Sequence, residues 1–205
     1  MSPADPRLPT VSGDAWPLLA PSADDVNWRD VANTLARICG HAGKLAEDVV
    51  HYSLAEHACR VADILPVDLR LPGLLNGAHA AFTGPLTDSQ RQALAALGAG
   101  TALTVFADIQ DRALFAAAGQ PYPVPDAAAR QIGMAVLRLR ATERRDVMAE
   151  APAGIASSCW GALPDPLPEI IIPWPFHLAT DQWLMRLYRW LPLPLAQAAR
   201  ENGIL

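Results

Sequence analysis

Lysine is almost absent from this chain: Lys44 stands alone against 15 arginines. Arginine suits bidentate pairing with carboxylate or phosphate, although a GC-rich genome produces the same bias. Cysteine is also scarce. Cys39, Cys59 and Cys159 show no CxxC and no Cys/His ligand spacing. They therefore predict no zinc site and no disulfide framework, but reduced thiols in a cytoplasmic setting. A basic excess is missing too. The net charge of -5 excludes a general nucleic-acid binder and leaves a local basic pocket for phosphate open. No hydrophobic run predicts a membrane span. The stretch from Gln92 to Ala107 is uncharged, but it is short and interrupted by Gly98, Gly100 and Thr101. The opening MSPADPRLPT lacks the apolar core of a secretory signal. GxGxxG, Walker, GxSxG and HExxH motifs are all missing, so the common dinucleotide, P-loop, serine-hydrolase and zincin readings have no support.

What remains describes a folded helical chain. Hydrophobic residues make up 51% of the 205 positions and charged residues 18%. A chain of this length buries roughly 70% of its unfolded surface and needs no metal or disulfide to fold. Residues 1–25 carry Pro3, Pro6, Pro9, Pro17 and Pro21 and read as an extended arm, packed by Trp16, Leu18 and Leu19. Residues 26–192 read as one helical domain and 193–205 as a tail. Val31, Leu35 and Ile38 repeat at helical spacing. Ser53-Leu54-Ala55-Glu56 is a capping-box pattern ahead of Leu54, Val61 and Leu65, and Pro66 stops the run. Further helices are predicted over about 72–82, over 88–118 with a Gly-rich break, from Asp126 to about 149, and from Thr180 or Asp181 to Leu191. Residues 151–176 are Pro-rich and irregular. With no strand and no repeat, the prediction is all-α, with six or seven helices and a Trp-rich C-terminal helix.

Chemistry then rests on few residues. His57 and His79 fall on the apolar faces of neighbouring helices. Two imidazoles alone are a weak metal site, and the plain reading is a pair of hydrogen-bonded core residues. Cys159, beside Ser157, Ser158 and Trp160, is a nucleophile only if a base such as His177 lies near. Arg140 and Arg144 share a helix face that suits phosphate, but Glu143 and Asp146 interrupt the pattern and favour a solvated, salt-bridged face. Trp174, Trp183 and Trp190 pack onto the domain or supply a dimer surface.

Four stretches, in order, resemble the HD-domain superfamily of metal-dependent phosphohydrolases, in the branch of bacterial 5′-deoxynucleotidases. Thr10-Val11-Ser12-Gly13, Pro21 to Val26 and Asp30-Val31-Ala32-Asn33-Thr34-Leu35 resemble its opening "T-x-SG … P-x-x-x-D-I … DIAHAL". Tyr52-Ser53-Leu54-Ala55-Glu56-His57 resembles "YSVAEH", whose histidine is a metal ligand. Residues 74–85, beginning Leu74-Leu75-Asn76-Gly77-Ala78-His79, stand where the branch has "LLHDAAEAYLGD". Ala141-Thr142-Glu143-Arg144-Arg145-Asp146-Val147-Met148 resembles "ATERRDLM". The similarity spans roughly residues 10–192 and implies an all-α HD-domain fold.

The departures from that pattern fall on its chemistry. Active members hold their metal with H…HD…D. Here the first position is His57, the doublet is Asn76-Gly77, and the final aspartate position is Val136. The acidic residue after the doublet is Ala80, and the phosphate-binding arginine position is Gly40. Divalent metals in such sites need anionic oxygen ligands. The expectation is therefore a decayed metal site without a cofactor. The protein is expected to be non-catalytic and to bind a small molecule or nucleotide, or a partner, through the old pocket or surface. His57 is expected as a core histidine hydrogen-bonded to Asn76. Homodimerisation is compatible with this reading; nucleic-acid and membrane partners are not. Two alternatives stay open. One is a Mn-, Co-, Fe- or Mg-dependent phosphohydrolase on nucleoside monophosphates, rebuilt from His57, His79 and Asp108 or Asp111. The other is a structural subunit of an active paralogue.

Overall fold

A computed structural model describes residues 6–150 and 162–201. The expected proline-rich arm is extended, but it contains strands that no alternation in the sequence announces. Strands β1 (Arg7–Pro9) and β2 (Ala15–Pro17) pair antiparallel, with Leu8 opposite Trp16. The arm is held to the domain through Trp16, which is buried and stacks on Phe82 at 3.7 Å between ring centroids. Its indole N–H donates to the buried Gln110 side chain at 2.7 Å, and the Gln110 amide donates to Leu18 O at 2.8 Å. Leu19 stays exposed.

The domain is all-α, as its periodicity predicts. Helix α1 (Trp28–Arg37) starts where the Asn27 side chain accepts from the Arg29 and Asp30 amides. Helix α2 (Leu54–Asp63) starts at Ser53, whose hydroxyl accepts from Glu56 N at 3.0 Å. The capping box is only half formed. The Glu56 carboxylate turns inward, is fully buried, and accepts from Arg60 and from Trp174 N at 2.8 Å.

The single helix expected over 72–82 is two short ones, α3 (Arg70–Leu75) and α4 (Ala80–Thr83). Gly77 breaks them apart by taking φ +83, a left-handed conformation open to glycine and costly for other residues. Gly73 has a different role. A Cβ there would crowd Leu65 Cδ1, so glycine permits α3 to pack closely on the end of α2.

Helices α5 (Asp88–Ala96) and α6 (Gly100–Ala117) form the expected pair around a Gly-rich break. Helix α7 (Asp126–Asp146) follows the proline connector and ends a few residues early. Helix α8 (Phe176–Trp190) starts right after Pro175, earlier than the cap at Thr180 or Asp181 suggests. Residues 193–205, expected as a tail, include helix α9 (Leu193–Glu201).

Helix α8 lies across α1, α2 and α3 and carries Trp183 into the larger core, 6.1 Å from the Trp28 ring. Trp174 is sandwiched by the Arg60 and Arg186 guanidinium groups at 5.0 and 5.7 Å. The aromatic tail thus packs onto the domain. A smaller core joins α2 to α7 through Val61, Leu65, Ile132, Leu139 and Tyr52. Among the described residues, no helix is long and apolar enough to cross a membrane.

Candidate functional site

The interface between α2 and α7 has a buried carboxylate at its centre. Ile132, Val136, Leu139 and Glu143 follow one another at steps of four, three and four, so Glu143 continues the inward stripe of α7. Its side chain is fully buried. Three donors converge on it: Tyr52 Oη at 2.6 Å, His57 Nδ1 at 2.6 Å and His41 Nε2 at 2.9 Å. Burial alone would raise the Glu143 carboxyl, but the His57 charge and the hydrogen bonds from His41 and His57 outweigh it. The net result holds Glu143 well below the usual carboxylate range. Burial, and then the nearby Glu143 charge, pushes the Tyr52 phenol well above its ordinary value. Tyr52 is therefore a fixed donor.

This cluster corrects two expectations. The hydrogen-bond partner of His57 is Glu143, not Asn76. Glu143 does not interrupt a solvated arginine face; it is the acceptor that organises the site.

His41 reaches Glu143 from a strained loop. His41 and Ala42 both have left-handed backbones, with φ 52 and 53. Non-glycine residues in that region cost of order 1–3 kcal/mol each and persist only where the surroundings hold them. Here the hydrogen bond to Glu143 and the stacking of His41 on Tyr52, 6.3 Å between centroids, supply the hold. Gly40 precedes them. Its N–H donates to Tyr52 O at 2.7 Å, and a Cβ there would lie 3.2 Å from that same oxygen. An arginine at this position would have to displace the Tyr52 backbone.

Two cavities adjoin the cluster and share Leu54, His57, Pro85, Leu86 and Arg140. The smaller, of about 260 Å³, brings together His57, Asn76, Gly77, His79, Ala80 and Val136. The positions picked out in the sequence therefore meet in space, although Asn76 and His79 belong to a broken helix and not to one continuous face. The larger cavity, of about 390 Å³, is lined by Gly40, His41, Lys44 and Tyr52 together with leucine and methionine side chains. Arg140 faces both and is held by Asp88 at 2.5 Å. Arg144 lines neither, so the two arginines do not form a joint phosphate clamp in these cavities.

Two further histidines have ordinary partners. His79 Nδ1 donates to Asp111 at 3.0 Å. Asp108 instead accepts from Tyr122 Oη at 2.6 Å. His51 Nε2 donates to Ala36 O at 2.9 Å. The Cys159 segment lies outside the described residues, so its pairing with His177 has no geometry. Cys59 is buried, and burial pushes its thiol up to about 12, which leaves it an inert core group.

The donor set does not suit a metal. His57, Asn76, Gly77 and Val136, which meet at the smaller cavity, offer one imidazole, one carboxamide, a glycine and a valine. Among the described residues, no group of three or more His, Cys, Asp or Glu side chains is arranged to hold an ion. Glu143, the carboxylate hydrogen-bonded to His57, already accepts from three donors. Comparison with protein-family models and with curated proteins finds no match.

Proposed function

We propose that this chain is an HD-domain-like protein whose catalytic metal site has decayed and which uses the remaining pocket to bind a small ligand without metal chemistry. One observation carries the reading. His57, Asn76, Gly77 and Val136 line one cavity, yet together they contribute no carboxylate to it. Mg²⁺, Mn²⁺ and Fe²⁺ favour sites with anionic oxygen ligands, so this lining lacks the charge that would hold such an ion. The buried Glu143 cluster and the strained His41–Ala42 loop support a preserved pocket, since packing decay alone would not maintain a costly backbone. The free thiols of Cys39 and Cys59 agree with a cytoplasmic setting, which is part of the same proposal.

Thermal unfolding in saturating Mn²⁺ or Co²⁺ tests it. A metal bound only by the folded state raises stability by several kcal/mol at about 1,000 times its dissociation constant. No rise is expected. A metal-dependent increase that disappears in His57→Ala would overturn the proposal.

A further inference from the structure

The larger cavity has a chemistry of its own. Its walls are mostly apolar, built from Leu54, Leu86, Leu137, Met148 and Leu163 with the ring of Tyr52. Its volume of about 390 Å³ falls within the range of small-molecule sites, which combine apolar walls with a few placed polar groups. Asp88, the acid in its lining, takes Arg140, and Glu143 behind it takes Tyr52, His41 and His57. Lys44, the single lysine of the chain, also lines this cavity. It is exposed, and its ammonium has no partner among the described residues. Glu47 and Asp48 follow Lys44 closely in sequence but do not line the cavity. Apolar walls with one positive charge that no acid of the lining pairs are complementary to a molecule with an apolar body and an anionic head.

We infer that this cavity binds an amphipathic anion, a carboxylate or phosphate on an aliphatic body, with its head at Lys44 and its body against the leucine and methionine wall. The inference rests on the metal-free binding proposed above and names the ligand class. A nucleotide fits this wall less well. Thr87, Asp88 and Ser89 offer it some polar contacts, but a base edge and sugar hydroxyls set against Leu54, Leu137, Met148 and Leu163 would leave water without recovering all the hydrogen bonds they lose. The pinned His41–Ala42 loop gives the cavity a formed wall before the ligand arrives, which limits the ordering cost of binding.

Calorimetric titration of the full chain with decanoate, decanol and dAMP, in the presence of a chelator, tests this. Decanoate should bind one-to-one, and decanol about tenfold more weakly, because it lacks the charge. Lys44→Glu should weaken decanoate by at least about tenfold and leave decanol unchanged. Lys44 is exposed and unpartnered among the described residues, so this variant should keep the fold, and an unchanged melting temperature checks that. Leu137→Glu, on the half-buried wall, should weaken both ligands. No decanoate binding, or equal binding by Lys44→Glu, overturns the inference. If dAMP binds more tightly than decanoate under chelation, the ligand class is wrong while metal-free binding stands. If dAMP is hydrolysed once Mn²⁺ is added, the underlying reading falls.

Discussion

Replacing Glu143 by Gln removes one charge from the middle of the structure and changes little else. The carboxylate is fully buried and receives three donors, two of them at 2.6 Å. Charge-assisted hydrogen bonds contribute about 1.5–3 kcal/mol against about 0.5–1.5 for neutral ones, so each donor loses roughly 1 kcal/mol. The new amide also presents an N–H where a donor already points. Relief from desolvating a buried charge returns part of this. The expected net loss is about 2–3 kcal/mol, or a fall of roughly 4–12 °C in melting temperature for a chain of this size. Urea denaturation at neutral pH measures it, and the acid limb supplies a second readout. Because the folded Glu143 carboxyl sits well below its unfolded value of 4.5, its contribution is complete above about pH 4.5 and is lost as pH falls below that. Wild type should therefore lose stability faster than Glu143→Gln between about pH 4.5 and 3. Glu56, raised first by burial and also by the Glu143 charge, opposes this slope, and less so in the variant, which lacks that charge. A variant within about 0.5 kcal/mol of wild type, with the same acid limb, would refute the reasoning.

Further outcomes follow from single side chains. Gly73→Ala should shift stability by less than about 1 kcal/mol in urea denaturation, because the new methyl crowds only Leu65 Cδ1, the end of a side chain that can turn aside, and alanine is the better helix former. Gln110→Ala should cost on the order of 2–3 kcal/mol by the same assay, since it leaves the buried Trp16 indole N–H without its acceptor. The triple change Asn76→His, Gly77→Asp, Val136→Asp should fail to bind Mn²⁺ stoichiometrically in calorimetry. An aspartate in place of Gly77 would have to adopt φ +83, a left-handed backbone that is costly for a residue with a Cβ.

Much of the architecture is legible because it depends on local signals. Ser53 caps α2 as its pattern indicates, and apolar spacing places α1, α6 and α7. The arm hairpin is not legible: strands of three residues, each with a proline at its end, are too short for a period to appear. The break between α3 and α4 is set by the backbone sign of one glycine, which composition does not encode. The left-handed pair at His41 and Ala42 is hidden for the same reason. Its cause is the hydrogen bond of His41 to a residue 102 positions away. Glu143 is legible in principle. It continues the stripe of Ile132, Val136 and Leu139, and a carboxylate on a core stripe requires donors. The arginines around it point to a charged surface instead.

On the proposed reading, the pocket keeps its shape without metal chemistry. Elemental analysis of the purified protein, alongside a phosphatase assay on dAMP, dGMP and dUMP with added Mn²⁺ and Co²⁺, decides between that reading and an enzyme. A metal-free pocket should show no stoichiometric Mn, Co, Fe or Zn and no turnover above a His57→Ala control. Stoichiometric metal that is lost in His57→Ala, together with phosphate release by wild type, would contradict it.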